Sequence, residues 1–131
     1  MSSITRLNLS SLKMLLLGTL PESHKCVIKF YSETCQICTD LAPVYKDIAS
    51  DHTAKDTYFF AFNTSDAEDA DFEELRSAVV LKGVPSIVKF NTGVKDVRVS
   101  VMEEPIVPDP ITWYTRKDII NFIEGDKTNE K

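Results

Sequence analysis

The chain has 131 residues, a net charge of −5 and three cysteines. This is the length of one domain, long enough to bury a core without covalent staples. The acidic balance argues against a general binder of nucleic acid or anionic membrane, and three cysteines are too few, and an odd number, for a secreted disulfide framework.

Ile4-Thr5-Arg6-Leu7 is a short candidate strand. Ser10 or Ser11 can then cap a helix carrying Leu12, Leu15, Leu16 and Leu20. The run Met14–Leu20 has the apolarity of a signal-peptide core. It starts late and meets Pro21-Glu22-Ser23-His24-Lys25 with no small-x-small cleavage site. It is therefore read as part of a buried helix, and the expected location is the cytoplasm. No segment is long enough to span a membrane as a helix.

Residues 26–31, Cys26-Val27-Ile28-Lys29-Phe30-Tyr31, are rich in β-branched and aromatic types and almost continuously apolar. They suit a central strand covered on both faces. From Cys35 the period becomes helical, with Leu41, Val44, Tyr45 and Ile48 on one face and Pro43 inside the pattern, where a kink is expected. Tyr58–Phe62 is another buried strand. Ser65-Asp66-Ala67-Glu68 has the form of a capping box for a helix carrying Phe72, Leu75 and Val79. Pro85 to Phe90 is a fourth strand, Asn91-Thr92-Gly93 a turn, and Asp96 to Val101 an alternating strand that closes a hairpin. Glu103 to Ile111 holds three prolines and reads as a loop. Arg116 to Glu124 is a last amphipathic helix, and 125–131 a polar, frayed tail. The order is βαβαβ, then α, then ββα, in a single α/β domain spanning 1–131. Strands joined by helices are expected to lie parallel and the final pair antiparallel.

The chemistry lies in Cys35-Gln36-Ile37-Cys38. A thiol exchanges disulfides only as thiolate, and a free cysteine with a pKa of about 8.5 is mostly protonated at neutral pH. Unpaired N–H groups at a helix start favour the anion. Cys35 has that position, with Thr34 or Ser32 as candidate N-cap, and is the expected nucleophile. Cys38, one turn on, is the expected resolving thiol. Two other readings stand beside this one. The pair could be packing cysteines, or Cys26, Cys35 and Cys38 with His24 or His52 could hold zinc. The strand position of Cys26 and the lack of a second CxxC count against zinc, and no metal is expected. Cys26 reads as a buried apolar residue, with regulatory oxidation as the alternative. The acidic positions Asp66, Glu68, Asp69, Asp71, Glu73 and Glu74 suit a helix start and a solvated face; a docking surface for a basic partner is the other reading.

Phe30-Tyr31-Ser32-Glu33-Thr34-Cys35-Gln36-Ile37-Cys38-Thr39-Asp40-Leu41-Ala42-Pro43-Val44-Tyr45 resembles the active-site segment of the thioredoxin superfamily, protein disulfide isomerase domains especially. Leu81-Lys82-Gly83-Val84-Pro85-Ser86 is similar to that family's cis-proline loop, and Tyr114–Ile123 to the last helix of isomerase domains. The resemblance spans roughly residues 4–124. It implies a thioredoxin fold, a central mixed sheet of about five strands flanked by about four helices. It also implies a cis Val84–Pro85 peptide whose backbone holds a substrate chain as an added strand. A proline that simply starts a strand is the other reading of Pro85.

Three positions depart from the family pattern. Thr34 stands where tryptophan is usual, and Gln36-Ile37 replaces Gly-Pro or Gly-His, so the redox potential cannot be carried over. Lys29 stands where relatives commonly bury an acid that shuttles a proton for the second cysteine. A buried lysine would have a depressed pKa and could tune Cys38; alternatively its stem packs and its ammonium snorkels to water. Arg116 loosely resembles an isomerase arginine that modulates the second cysteine, with helix-end solvation as the plainer role. The 103–113 loop is longer than usual for the family, and Trp113, the only tryptophan, either packs it down or touches substrate.

The expected activity is thiol-disulfide exchange on protein substrates, in the direction of reduction. Cys35 and Cys38 do the chemistry, Lys29 is a candidate tuning group, and Thr34, Gln36, Ile37, Val84, Pro85 and Trp113 are candidate substrate contacts. No cofactor beyond the dithiol is expected. The partners would be disulfide-bearing proteins and an external electron donor such as a reductase, with the chain acting as a monomer. The competing class is a thioredoxin-like accessory module whose role is protein–protein binding.

Overall fold

Alternation along β2 (Lys25–Tyr31) sets the layers of the molecule. Cys26, Ile28 and Phe30 face one apolar cluster, together with Leu12, Leu16, Phe62, Leu75, Val88 and Phe90. Val27 faces the other, with Leu41, Tyr45, Ile48, Phe59, Ile87, Ile119 and Ile123. The strand is covered on both sides, which is why it reads as an almost unbroken apolar run. Each fully buried aromatic or branched side chain in these clusters contributes about 1.5–3 kcal/mol.

The computed structural model describes residues 4–17, 24–52, 57–75, 79, 83–92 and 99–124. Around β2 stand β1 (Ile4–Arg6), β3 (Thr57–Asn63), β4 (Ser86–Asn91) and β5 (Ser100–Val101), in the order β1-β3-β2-β4-β5. Helices α1 (Leu9–Leu17) and α3 (Asp69–Leu75) lie together on the first face. On the second face α2 (Gln36–His52) and α4 (Arg116–Ile123) lie together. Among the described residues this is the mixed five-stranded sheet with four helices expected for a thioredoxin fold. Leu20, Leu81, Lys82, the Gly93 turn, Asp96 and Val97 of the hairpin, and the 125–131 tail lie outside the described residues.

One topological expectation is overturned. β1 and β2 run parallel to β3, but β4 pairs antiparallel with β2 although a helix joins it to β3. The reversal matters for function. It places Ser86, the first residue of β4, opposite Phe30 near the end of β2. The residues before Ser86 therefore sit at the same sheet edge as the turn that leads into α2. A parallel β4 would have carried them to the far end.

Helix starts also differ from the expected caps. Asn8 caps α1, its Oδ1 accepting the Ser11 amide at 2.8 Å, so Ser10 and Ser11 lie inside the helix. The Ser65–Glu68 box does not open α3. Asn63 Oδ1 takes the Ser65 amide at 2.9 Å and turns Thr64–Asp66 into a short 3-10 turn, so α3 begins at Asp69. At α4 a true capping box forms between Thr115 and Asp118, missed in the sequence because Asp replaces the usual Glu or Gln. Helix α2 runs on through Pro43, whose missing N–H leaves the Thr39 carbonyl without its helical donor.

Candidate active site

The turn between β2 and α2 is tied down from two sides. The Asn63 amide donates to Glu33 at 3.0 Å, and the Thr64 hydroxyl donates to the Tyr31 carbonyl at 3.2 Å. Cys35 follows as the residue just before α2, and it caps the helix itself. The Cys38 amide donates to the Cys35 sulfur at 3.1 Å, and the Thr39 amide donates to the Cys35 carbonyl at 3.2 Å. Neither Thr34 nor Ser32 caps the helix; their hydroxyls lie 3.5 Å from each other. An N–H aimed at sulfur at a helix start stabilises a thiolate there.

Cys35 and Cys38 are joined as a disulfide. Cys35 is partly exposed and Cys38 is 2% exposed, so only the first sulfur can be reached by a large partner. The Val84–Pro85 peptide is cis, at the same edge of the sheet. Thr34 and Gln36 are exposed and Ile37 half-buried around the pair, with Gln36 Nε2 donating to Asp40 at 3.2 Å.

Lys29 is 5% exposed, which overturns the snorkelling reading. Its ammonium lies 5.1 Å from the Tyr45 ring centre and 5.4 Å from that of Tyr31. The three side chains, with Cys38, line one cavity of about 550 Å³ beneath α2. No carboxylate pairs with Lys29 among the described residues, and burial lowers its pKa from 10.5 to about 8. Tyr45, wholly buried, donates to the Phe60 carbonyl at 2.7 Å and so cannot turn its hydroxyl freely toward the amine. Strand alternation puts Tyr31 on the Lys29 face; the part of Tyr45 in the cage was not foreseen, although helical period places Tyr45 on the buried face of α2.

Cys26 faces the first cluster, 1% exposed, and burial pushes its thiol up to about 11. With its side chain on that face, it does not join the CxxC pair; among the described residues no three ligand-type side chains are grouped to hold a metal. The His52 side chain lies outside the described residues. In the native oxidised protein Cys26 is expected to resist an aromatic disulfide reagent at pH 8, and one thiol per chain is expected to titrate on unfolding. Rapid native labelling would show that the burial is wrong.

Arg116 lies away from the dithiol. It pairs with Asp47 and Asp51 on α2, two to four turns beyond Cys38, and so fastens α4 to α2. Trp113 packs against the second cluster and lines a cavity with Val84 and Pro85. Within the acidic stretch, Asp66 pairs with Arg6, and Asp71 and Glu74 pair with Lys13 at the surface.

A dithiol capping a helix at the edge of a mixed sheet, with a cis-proline loop beside it, defines a thioredoxin-type thiol-disulfide site. The family model for thioredoxin matches residues 16–106, and the chain belongs to the thioredoxin family. No curated protein matches it. Among solved structures it is similar to the Trx4 domain of ERdj5, with a TM-score of 0.67 and 15% identity over 97% of each chain. It is also similar to thioredoxin f from spinach chloroplast, with a TM-score of 0.62 and 13% identity over 95% of this chain and 87% of that one. Against the J-Trx1 fragment of ERdj5 the TM-score is 0.63 and the identity 17%, over 95% of this chain. The chain spans only 50% of that fragment. Identities this low show the shared fold alone.

Proposed function

We propose that the chain is a protein-disulfide reductase working through Cys35 and Cys38. The observation that carries this reading is the Cys38 amide held 3.1 Å from the Cys35 sulfur at a helix start, with Cys38 itself buried. In the reduced protein the Cys35 thiolate attacks a substrate disulfide, forms a mixed disulfide and expels one substrate sulfur as thiolate. Cys38 then loses its proton and attacks Cys35, releasing the second substrate thiolate and closing the Cys35–Cys38 disulfide. Two electrons have passed to the substrate. An external dithiol donor, such as a reductase, returns them by the same exchange in reverse.

Lys29 is the group suited to the second step. As a neutral amine it can accept the Cys38 proton inside the cavity they share, and as ammonium it stabilises the thiolate. The backbone at Val84 is suited to hold an extended substrate, and Thr34, Gln36 and Ile37 to touch it from the other side. We assign no cofactor beyond the dithiol and a monomeric, cytoplasmic protein; one buried free thiol beside one exchangeable pair fits a reducing compartment.

The exposed apolar side chains of Ile106, Val107 and Ile111 favour the second reading, an accessory binding module. One assay separates the two. Reduction of insulin by dithiothreitol is expected to run several-fold faster with micromolar protein than without it. A rate equal to the uncatalysed one removes the reductase reading and leaves the module.

A further inference from the structure

The cavity beside the Val84–Pro85 peptide carries a charge pattern that disulfide exchange does not require. Its volume is about 670 Å³, and Val84, Pro85, Trp113, Tyr114, Glu103 and Glu104 are among its walls. Among the described residues the two glutamates are its only charged lining residues, and both are exposed. After burial, the nearby Glu104 carboxylate is the next cause raising the pKa of the Tyr114 phenol, which brings the acid and the aromatic wall close together.

Trp113 is held in place against its own backbone preference. Its φ is 68°, a left-handed conformation unfavourable for a bulky residue. A closed turn imposes it. Asp109 and Trp113 exchange backbone hydrogen bonds of 3.0 and 2.9 Å, and the Asp109 carboxylate accepts the Ile111 and Thr112 amides at 2.8 and 3.0 Å. The turn fixes the indole at the cavity wall. An aromatic wall rimmed by two carboxylates, with no cation in the lining among the described residues, suits an ammonium or guanidinium on an aliphatic stem.

We propose that this cavity binds a lysine or arginine side chain of the polypeptide whose disulfide is exchanged, a few residues from its cysteine. The proposal rests on the substrate-binding role given above to the Val84 backbone. An extended chain rises about 3.3 Å per residue and points alternate side chains to one face. A chain paired at Val84 therefore presents a neighbouring side chain to the cavity. Ile106 and Val107, 99% and 80% exposed on the same loop, give apolar contact to the residues around it.

Trp113 is the sole tryptophan, so its fluorescence reports occupancy directly. The oxidised protein is titrated with an extended peptide carrying arginine two residues from a serine that replaces the cysteine, and with the same peptide carrying glutamate. The arginine peptide is expected to bind saturably and at least about 10-fold more tightly, a difference of about 1.4 kcal/mol. In the Glu103→Gln/Glu104→Gln variant the preference is expected to fall within about twofold. A Glu68→Gln/Glu73→Gln variant, altered at and near the start of α3, is expected to keep it. The proposal is overturned by equal affinities, by no saturable change, by a preference that survives the 103/104 variant, or by one lost equally in the 68/73 variant. These peptides cannot exchange, so such a failure strikes this cavity alone, whereas the insulin assay judges the redox reading.

Discussion

Cys35→Ser is expected to abolish catalysed insulin reduction, by a factor on the order of 10³ or more, whereas Cys38→Ser is expected to stop after the first step. The asymmetry follows from position. Cys35 is partly exposed and its sulfur accepts the Cys38 amide, so it is the thiol expected to meet substrate as an anion. Cys38, 2% exposed, is placed to attack only the Cys35 sulfur of a mixed disulfide. Without Cys38 the mixed disulfide has no internal resolving thiol and should accumulate as an adduct, visible by mass spectrometry under non-reducing conditions. Equal activity of Cys35→Ser and wild type, or an adduct carried by Cys38 in the Cys35→Ser variant, would invert the assignment.

Lys29→Met is expected to stabilise the oxidised protein at pH 7 by about 1–3 kcal/mol. The upper bound is the drop in its pKa from 10.5 to about 8, which corresponds to about 3 kcal/mol of burial cost for the charged form. The sign can be checked against pH. Between pH 8 and 10.5 the unfolded chain keeps the proton that the folded chain releases, so wild-type stability rises with pH through that window. Below pH 8 both states hold the proton and the full cost remains. The advantage of Lys29→Met should therefore be constant from pH 6 to 7.5 and fade toward pH 10, as chemical denaturation at a series of pH values would show. An advantage independent of pH would mean that methionine simply packs better.

The same substitution should act on the dithiol. In the oxidised protein no thiolate offsets the buried ammonium; in the reduced protein the Cys38 thiolate does. Lys29 is therefore expected to favour the reduced form, and its loss to make the site more reducing. Equilibration with glutathione gives the potential directly. An unchanged potential and thiol titration would confine Lys29 to a packing role.

Much of this site could be read without coordinates, because its parts are local. The helix start at Cys35 follows from a change of apolar period, and the burial of residues 26–31 from their composition. Alternation along the strand puts Lys29 on the face of Val27 and Tyr31. Whether it reached water could not be decided that way, since its surroundings come from Tyr45, 16 residues further along the chain. The caps were misplaced for a related reason. Asn8, Asn63 and Cys35 each win the first helical amides through a side chain whose reach depends on the preceding strand's exit direction.

The candidate redox pair and the layers are already legible in the residue order: a CxxC at a helix start after a two-faced strand, a Val-Pro pair before another strand, and a lysine inside the apolar run. The antiparallel run of β4 against β2 is visible only in the folded chain, since a connecting helix permits either direction and the packing of the whole sheet selects one. That choice brings Pro85 to the dithiol edge. It also took the folded chain to set Trp113 and two glutamates around the cavity beside that proline, because the turn that holds them closes through Asp109 and a left-handed residue that no periodicity reveals.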